Sequence, residues 1–266
     1  MDALVAICGS ASLRSLKING GPMSLLTCCS PSVKTLILES MHDYVLSSGT
    51  PAHEPPARKF AVATRLKTLK IHKYYYEEEN PYPKIHNLSG LDLSSLKSIE
   101  MTSTGSGGSM YSETGMNHLL QYCPSSLEEV ILELYEPRRK VAGDFPDLSR
   151  FVGLTKATFF IRSPEPLHNS KSEGDWGLFL MSQVINSIPA SSPLKSVDIC
   201  VMHLRQSGDE PRRLSAFYQD NYQEWDDIFD SLFKSSKFPD LRNLTLTIYR
   251  PKYTAFMPLP PIAGVS

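Results

Sequence analysis

The sequence has no apolar run approaching the roughly 20 residues needed to cross a bilayer as a helix. The opening Met1–Cys8 is apolar but short and has no preceding Lys or Arg, which argues against a secretory signal. Charge of one sign is also missing. Lys and Arg number 27 against 28 Asp and Glu, for a formal net charge of −1, so no global field draws nucleic acid or an anionic membrane surface. The five cysteines (Cys8, Cys28, Cys29, Cys123, Cys200) are odd in number and lack framework spacing, which points to free thiols in an intracellular, reducing compartment.

The motifs of catalysis are equally scarce. The seven histidines are scattered, and no pair shows His-x-x-x-His or Cys-x-x-Cys spacing, so no metal or other cofactor is expected. Thr104-Gly-Ser-Gly-Gly-Ser109 is glycine-rich, but Met110-Tyr111 stands where a phosphate loop needs Lys and then Ser or Thr. It reads as a loop between strand and helix. Without a Gly-x-Ser-x-Gly elbow there is no serine nucleophile to name. Asn87-Leu88-Ser89 and Asn243-Leu244-Thr245 match the glycosylation sequon, the second inside an apolar strand pattern, and both read as chance matches. An enzyme is not expected.

What the sequence does have is internal repetition. Leu13-Arg-Ser-Leu16-Lys-Ile18 has the form Leu-x-x-Leu-x-Leu, and seven more segments follow it, beginning at Val33, Leu66, Leu96, Leu127, Leu154, Leu194 and Leu241. The average interval is roughly 33 residues, within the range typical of solenoids. In each unit the fourth and sixth positions are apolar, and positions four, six and eight alternate with polar ones, the period of a half-buried strand. Val130, Leu132 and Leu134 should point inward, and so should Leu244, Leu246 and Ile248. Ser95, Ser126, Pro193 and Asp240 precede the first apolar residue and turn the chain into the strand.

Helical spacing lies between the strands. It predicts amphipathic helices over Asp175–Ile188, Gln223–Phe233 and Thr114–Tyr122, a barely two-turn helix over Asp147–Val152, and a helix carrying Cys28 and Cys29 that ends at Ser30-Pro31. Surplus length falls after the strands, at His42–Lys59, Tyr74–His86, Thr102–Glu113, Arg162–Gly174 and His203–Asp220, as surface insertions along one rim. The expected fold is therefore α/β: a curved solenoid over residues 1–250, with about eight irregular repeats, a parallel sheet on the concave side and helices on the convex side, followed by a Pro-rich tail over 251–266.

The Leu-Lys-Thr/Ser-Leu-x-Ile strands, Phe238-Pro-Asp-Leu241-Arg-Asn-Leu-Thr-Leu246 and Tyr122-Cys-Pro-Ser-Ser-Leu127-Glu-Glu-Val resemble the leucine-rich-repeat portion of fungal F-box proteins, especially the divergent basidiomycete group. The likeness covers nearly the whole chain. It implies a part of a ubiquitin-ligase receptor that holds the substrate on its repeats. In that family an F-box ahead of the repeats docks on the ligase adaptor. Here Leu13 already belongs to a strand, which leaves no room for an F-box, so adaptor binding would need one upstream.

The function expected is non-catalytic binding of another protein on the concave face, with a regulator of a small GTPase or a stand-alone scaffold as the alternative. No nucleic acid or membrane partner is expected. The candidate contact residues are Lys70, His72, Tyr74, Glu100, Glu133, Tyr135, Phe160 and Arg162, which the strand period places outside the core. Phe160 is expected as an exposed ring between inward Phe159 and Ile161, unless the loop Arg162–Gly174 covers it. Tyr74-Tyr-Tyr-Glu-Glu-Glu79 reads either as a strand end running into solvent or as an anchor patch. Finally, a basic residue follows the first repeat residue in six strands: Arg14, Lys34, Lys67, Lys97, Lys195 and Arg242. Stacked strands would align these as a solvated edge or as a site for an acidic partner.

Overall fold

A computed structural model describes residues 6–22, 26, 29–42, 64–73, 91–103, 113–134, 145–163, 176–203, 222–234 and 236–249. Among these residues ten strands follow one another: β1 (Ser15–Pro22), β2 (Thr35–His42), β3 (Thr64–Arg65), β4 (Thr68–Lys73), β5 (Leu91–Asp92), β6 (Ser98–Ser103), β7 (Glu129–Leu134), β8 (Lys156–Ser163), β9 (Ser196–His203) and β10 (Asn243–Tyr249). Eight of them form one sheet in the order β1-β2-β4-β6-β7-β8-β9-β10, with every pair parallel, while β3 and β5 pair separately. Each of the eight Leu-x-x-Leu-x-Leu segments supplies one strand of the large sheet, and sheet order follows chain order. The α/β class and the parallel sheet are as the repeat pattern required.

Side-chain alternation fixes the register. Leu16, Leu36, Leu69, Ile99, Val130, Ala157, Val197 and Leu244 are mutual partners along one row, and Ile18, Leu38, Ile71, Met101, Leu132, Phe159, Ile199 and Leu246 along the next. From β1 to β9 all members of both rows are buried, and most are fully so. A slip of one residue would turn an entire row to the other face, so the apolar alternation specifies the pairing strongly.

The last strand departs from expectation. Leu246 and Ile248 were assigned to the core, yet each is 42% exposed. Their facing is right, because Leu246 pairs with Ile199 and Ile248 with Val201. Their burial is not, because β10 ends the sheet and the described residues contain no further repeat to cover its inner side.

The turn before six of the eight strands has one form. The N–H groups of Leu13, Val33, Leu96, Leu127, Leu154 and Leu241 donate to the carbonyls of Ser10, Ser30, Leu93, Pro124, Phe151 and Phe238, three residues back. Next comes a ladder: the carbonyl of Arg14 accepts the N–H groups of both Lys34 and Thr35, at 2.8 and 3.1 Å. Lys34, Lys67, Lys97, Glu128, Thr155 and Lys195 each do the same for the following strand. The turns pack closely. A Cβ on Gly153 would lie 3.0 Å from the Ser126 backbone, so this position admits only glycine without a shift.

Among the described residues three helices connect strands: Glu113–Leu120, Trp176–Ser187 and Tyr222–Phe229, the last continuing as a π-helical turn over Asp230–Lys234. Their buried residues, Met116, Leu119, Leu178, Met181, Val184, Ile185, Trp225, Ile228 and Leu232 among them, join the inward rows in one core. The short helix expected over Asp147–Val152 is instead a chain of turns. No four-residue helical bond closes there: the Phe151 N–H donates to the Leu148 carbonyl, Val152 to Arg150 and Gly153 to Ser125 in the preceding turn, while side chains cap the first three N–H groups. Asp147 Oδ1 accepts the Ser149 N–H at 2.9 Å, Asn117 Oδ1 the Asp147 N–H at 2.8 Å, and Ser187 Oγ the Leu148 N–H at 2.9 Å. Leu148 and Phe151 are nonetheless fully buried. The five surface insertions and the helix around Cys28 lie wholly or mainly outside the described residues. The segment Tyr74–Glu79, the glycine-rich loop Thr104–Ser109 and the tail 251–266 lie entirely outside them.

Candidate binding surface

The helices and the inward rows share one core, which leaves the opposite face of the sheet to side chains at the third, fifth and seventh repeat positions. Their alternation with the core rows is enforced by the pleat. Four charged groups and a histidine form a continuous line across β1, β2, β4 and β6. Lys17 Nζ lies 2.8 Å from Glu39 Oε1, which is 3.4 Å from His72 Nδ1. His72 Nε2 lies 2.8 Å from Glu100 Oε1, and Lys70 Nζ lies 2.7 Å from Glu100 Oε2.

Lys70, His72 and Glu100 were predicted separately as contact residues, and the fold joins them in one network. Burial alone would raise the Glu100 carboxyl. The hydrogen bonds and charges of His72 and Lys70 outweigh it and hold the carboxyl below its ordinary value. Glu39 and Lys17 belong to the same network and were missed. Glu39 occupies the seventh repeat position, as His72 does, so comparing equivalent positions between repeats would have found it.

A second polar group sits on β6 to β9. Ser98 Oγ donates to Glu129 Oε2 at 2.7 Å, and Lys156 Nζ lies 3.4 Å from Glu129 Oε1 and 3.7 Å from Asp198 Oδ2. None of these was anticipated, because Ser, Glu and Lys at a third repeat position look like ordinary solvated residues in isolation.

Beside the second network, on β7 to β9, the face is closed. Phe160 was expected as an exposed aromatic anchor, but it is 5% exposed and forms a small apolar cluster with Ile131 and Cys200. The register explains the grouping: Phe160 pairs with Cys200, and Ile131 lies one strand away on the same face. No buried residue of the helices joins this cluster. Glu133, also expected on the open face, is 2% exposed. Arg162 lies in β8, opposite Met202 of β9, and its side chain is outside the described set. Tyr74 and Tyr135 lie outside the described residues altogether. The eight candidates therefore do not form one exposed patch.

The cysteine of this cluster is chemically quiet. Burial, with Asp198 nearby, pushes the Cys200 thiol up to about 11, and burial pushes Cys123 up to about 12. Neither is a thiolate at neutral pH. Among the described residues no group of three or more His, Cys, Asp or Glu is placed to hold a metal ion. No described helix is long and apolar enough to cross a membrane. Comparison with protein-family models and with curated proteins finds no match to this chain.

Proposed function

We propose that the chain is an irregular leucine-rich-repeat solenoid acting as a non-catalytic protein-interaction module, and that its role is to hold the substrate of a ubiquitin-ligase receptor. The observation that carries this reading is the sheet itself. Eight parallel strands in chain order present a broad face whose charged groups are spread along it in paired networks and do not converge on one reacting point. Helices are wider than strands, so repeating strand and helix curves such a sheet with its strands inside, a shape suited to macromolecular partners.

The contact surface in this reading is the accessible part of the outward face: Lys17 and Asn19 at one side, Lys70, and then Glu129, Lys156 and Asp198. The Ile131–Phe160–Cys200 cluster holds that face in shape. The partner stays in the cell interior with the chain.

The test compares proteins captured by the wild-type chain with those captured by a Lys17→Glu/Lys156→Glu variant of unchanged melting behaviour. A partner retained by the first and lost by the second, and ubiquitylated in a reaction that depends on this chain, is the expected result. Two results would overturn the reading: identical capture by both proteins, or turnover of a nucleotide, ester or peptide by the purified chain that one point mutation abolishes.

A further inference from the structure

The ladder of shared carbonyls does more than join strands. It puts the second repeat residue of every unit in one column along the turn edge: Arg14, Lys34, Lys67, Lys97, Glu128, Thr155, Lys195 and Arg242. Six of these eight are basic, in a chain whose formal net charge is only −1. Lys97 is neutralised by Glu128, the next member of the column, at 2.7 Å. Arg14 reaches the Ser32 carbonyl at 3.3 Å, and Lys34 reaches those of Pro31 and Arg65 at 3.4 and 3.5 Å. Carbonyl oxygens position these cations without cancelling their charge. Lys67, Lys195 and Arg242 are exposed and make no side-chain contact among the described residues. Five of the six cations thus keep uncompensated charge on one edge.

We propose that this edge docks an acidic, extended peptide segment of a protein partner, running across the starts of the strands. Neighbouring strands lie about 4.8 Å apart, so the seven steps from Arg14 to Arg242 span about 34 Å, the reach of roughly ten extended residues. The charge complement is a run of Asp or Glu. Nucleic acid fits less well. The column has no aromatic ring to stack a base. This edge is separate from the outward face, so either surface can fail its test without the other.

Fluorescence anisotropy with a labelled peptide of alternating Glu and Ser, about ten residues long, tests the proposal. The wild-type chain should bind this peptide and not a Lys/Ser peptide of equal length. Affinity should fall steeply as NaCl rises from about 50 to about 300 mM, because exposed charges are screened within a Debye length. Lys67→Glu/Lys195→Glu/Arg242→Glu should weaken binding by about tenfold or more, and the triple Ala variant by less. The Ala variant carries the test if charge reversal disturbs folding. Gln223→Lys, which adds a cation on the helical side, should leave binding unchanged. Binding that is indifferent to the triple variants or to salt would overturn the proposal. So would a single-stranded oligothymidine of the same length displacing the Glu/Ser peptide.

Discussion

Leu132 and Leu246 are the sixth residue of their repeats and lie in the same core row, so sequence alone treats them as equivalent. The structure separates them, with Leu132 fully buried in β7 between β6 and β8, and Leu246 42% exposed on β10 at the end of the sheet. Truncation to Ala removes three carbons. At about 0.8 kcal/mol per buried methylene the transfer cost is about 2.4 kcal/mol at Leu132. The cavity left between packed neighbours raises the total to about 3–5 kcal/mol. Leu246 keeps a little over half of its surface covered and opens onto solvent, so the same change costs about 1.4 kcal/mol, with no cavity to add. With a urea slope of about 3 kcal/mol/M, a difference of about 2 kcal/mol separates the midpoints by roughly 0.7 M. Urea titrations of Leu132→Ala, Leu246→Ala and the wild-type chain, followed by circular dichroism and by tryptophan fluorescence, read this directly. Equal midpoints for the two variants would refute the reasoning, because they would mean that β10 is covered as fully as β7.

Phe160→Ala should lower the unfolding midpoint by an amount corresponding to about 3 kcal/mol, and a melting curve unchanged from wild type would place the ring in solvent. Glu100→Gln should cost on the order of 2 kcal/mol near neutral pH, by weakening charge-assisted bonds to His72 and Lys70. Because the folded-state value of Glu100 lies below its ordinary 4.5, its contribution is present above the unfolded-state value and is lost as pH falls through the lower folded one. The stability gap between wild type and Glu100→Gln should therefore close in acid, and a gap that widens there would contradict the network. Cys123 and Cys200, with thiols pushed up to about 12 and about 11, should resist a thiol reagent at about pH 8 until urea is added. Peptide mapping that finds either one labelled in the folded protein would count against its burial.

Much of the fold was legible because the sheet repeats one short message. Apolar residues at alternate positions can bury only one way, and eight copies of that pattern set the strands, their facing and their neighbours. The errors fall where a residue's environment is set by another repeat or by the end of the array. Leu246 has the correct facing but lacks a following strand. Asp147–Val152 has a plausible helical spacing, but its later donors turn back early or leave for the neighbouring repeat, Phe151 to Leu148 and Gly153 to Ser125. The candidate site was harder to read still. Lys70, His72 and Glu100 were visible as outward residues, but their partnership with Glu39 and Lys17 depends on register between segments far apart in the chain. Phe160 looked like an anchor because alternation predicts facing and is silent about cover.

The ladder of shared carbonyls treats the two ends of each strand unequally. At the turn end every repeat is pinned to the one before it by two bonds to a single oxygen, at distances between 2.8 and 3.2 Å. At the other end the chain leaves the sheet through stretches of unequal length. A residue gained or lost there shifts no register, because the next strand is located afresh by its own turn. The array can therefore vary the length of chain after each strand one repeat at a time while its spine stays fixed. Damage to a single turn has the opposite character: it removes a rung shared by two neighbouring strands, so its cost falls on the junction between repeats.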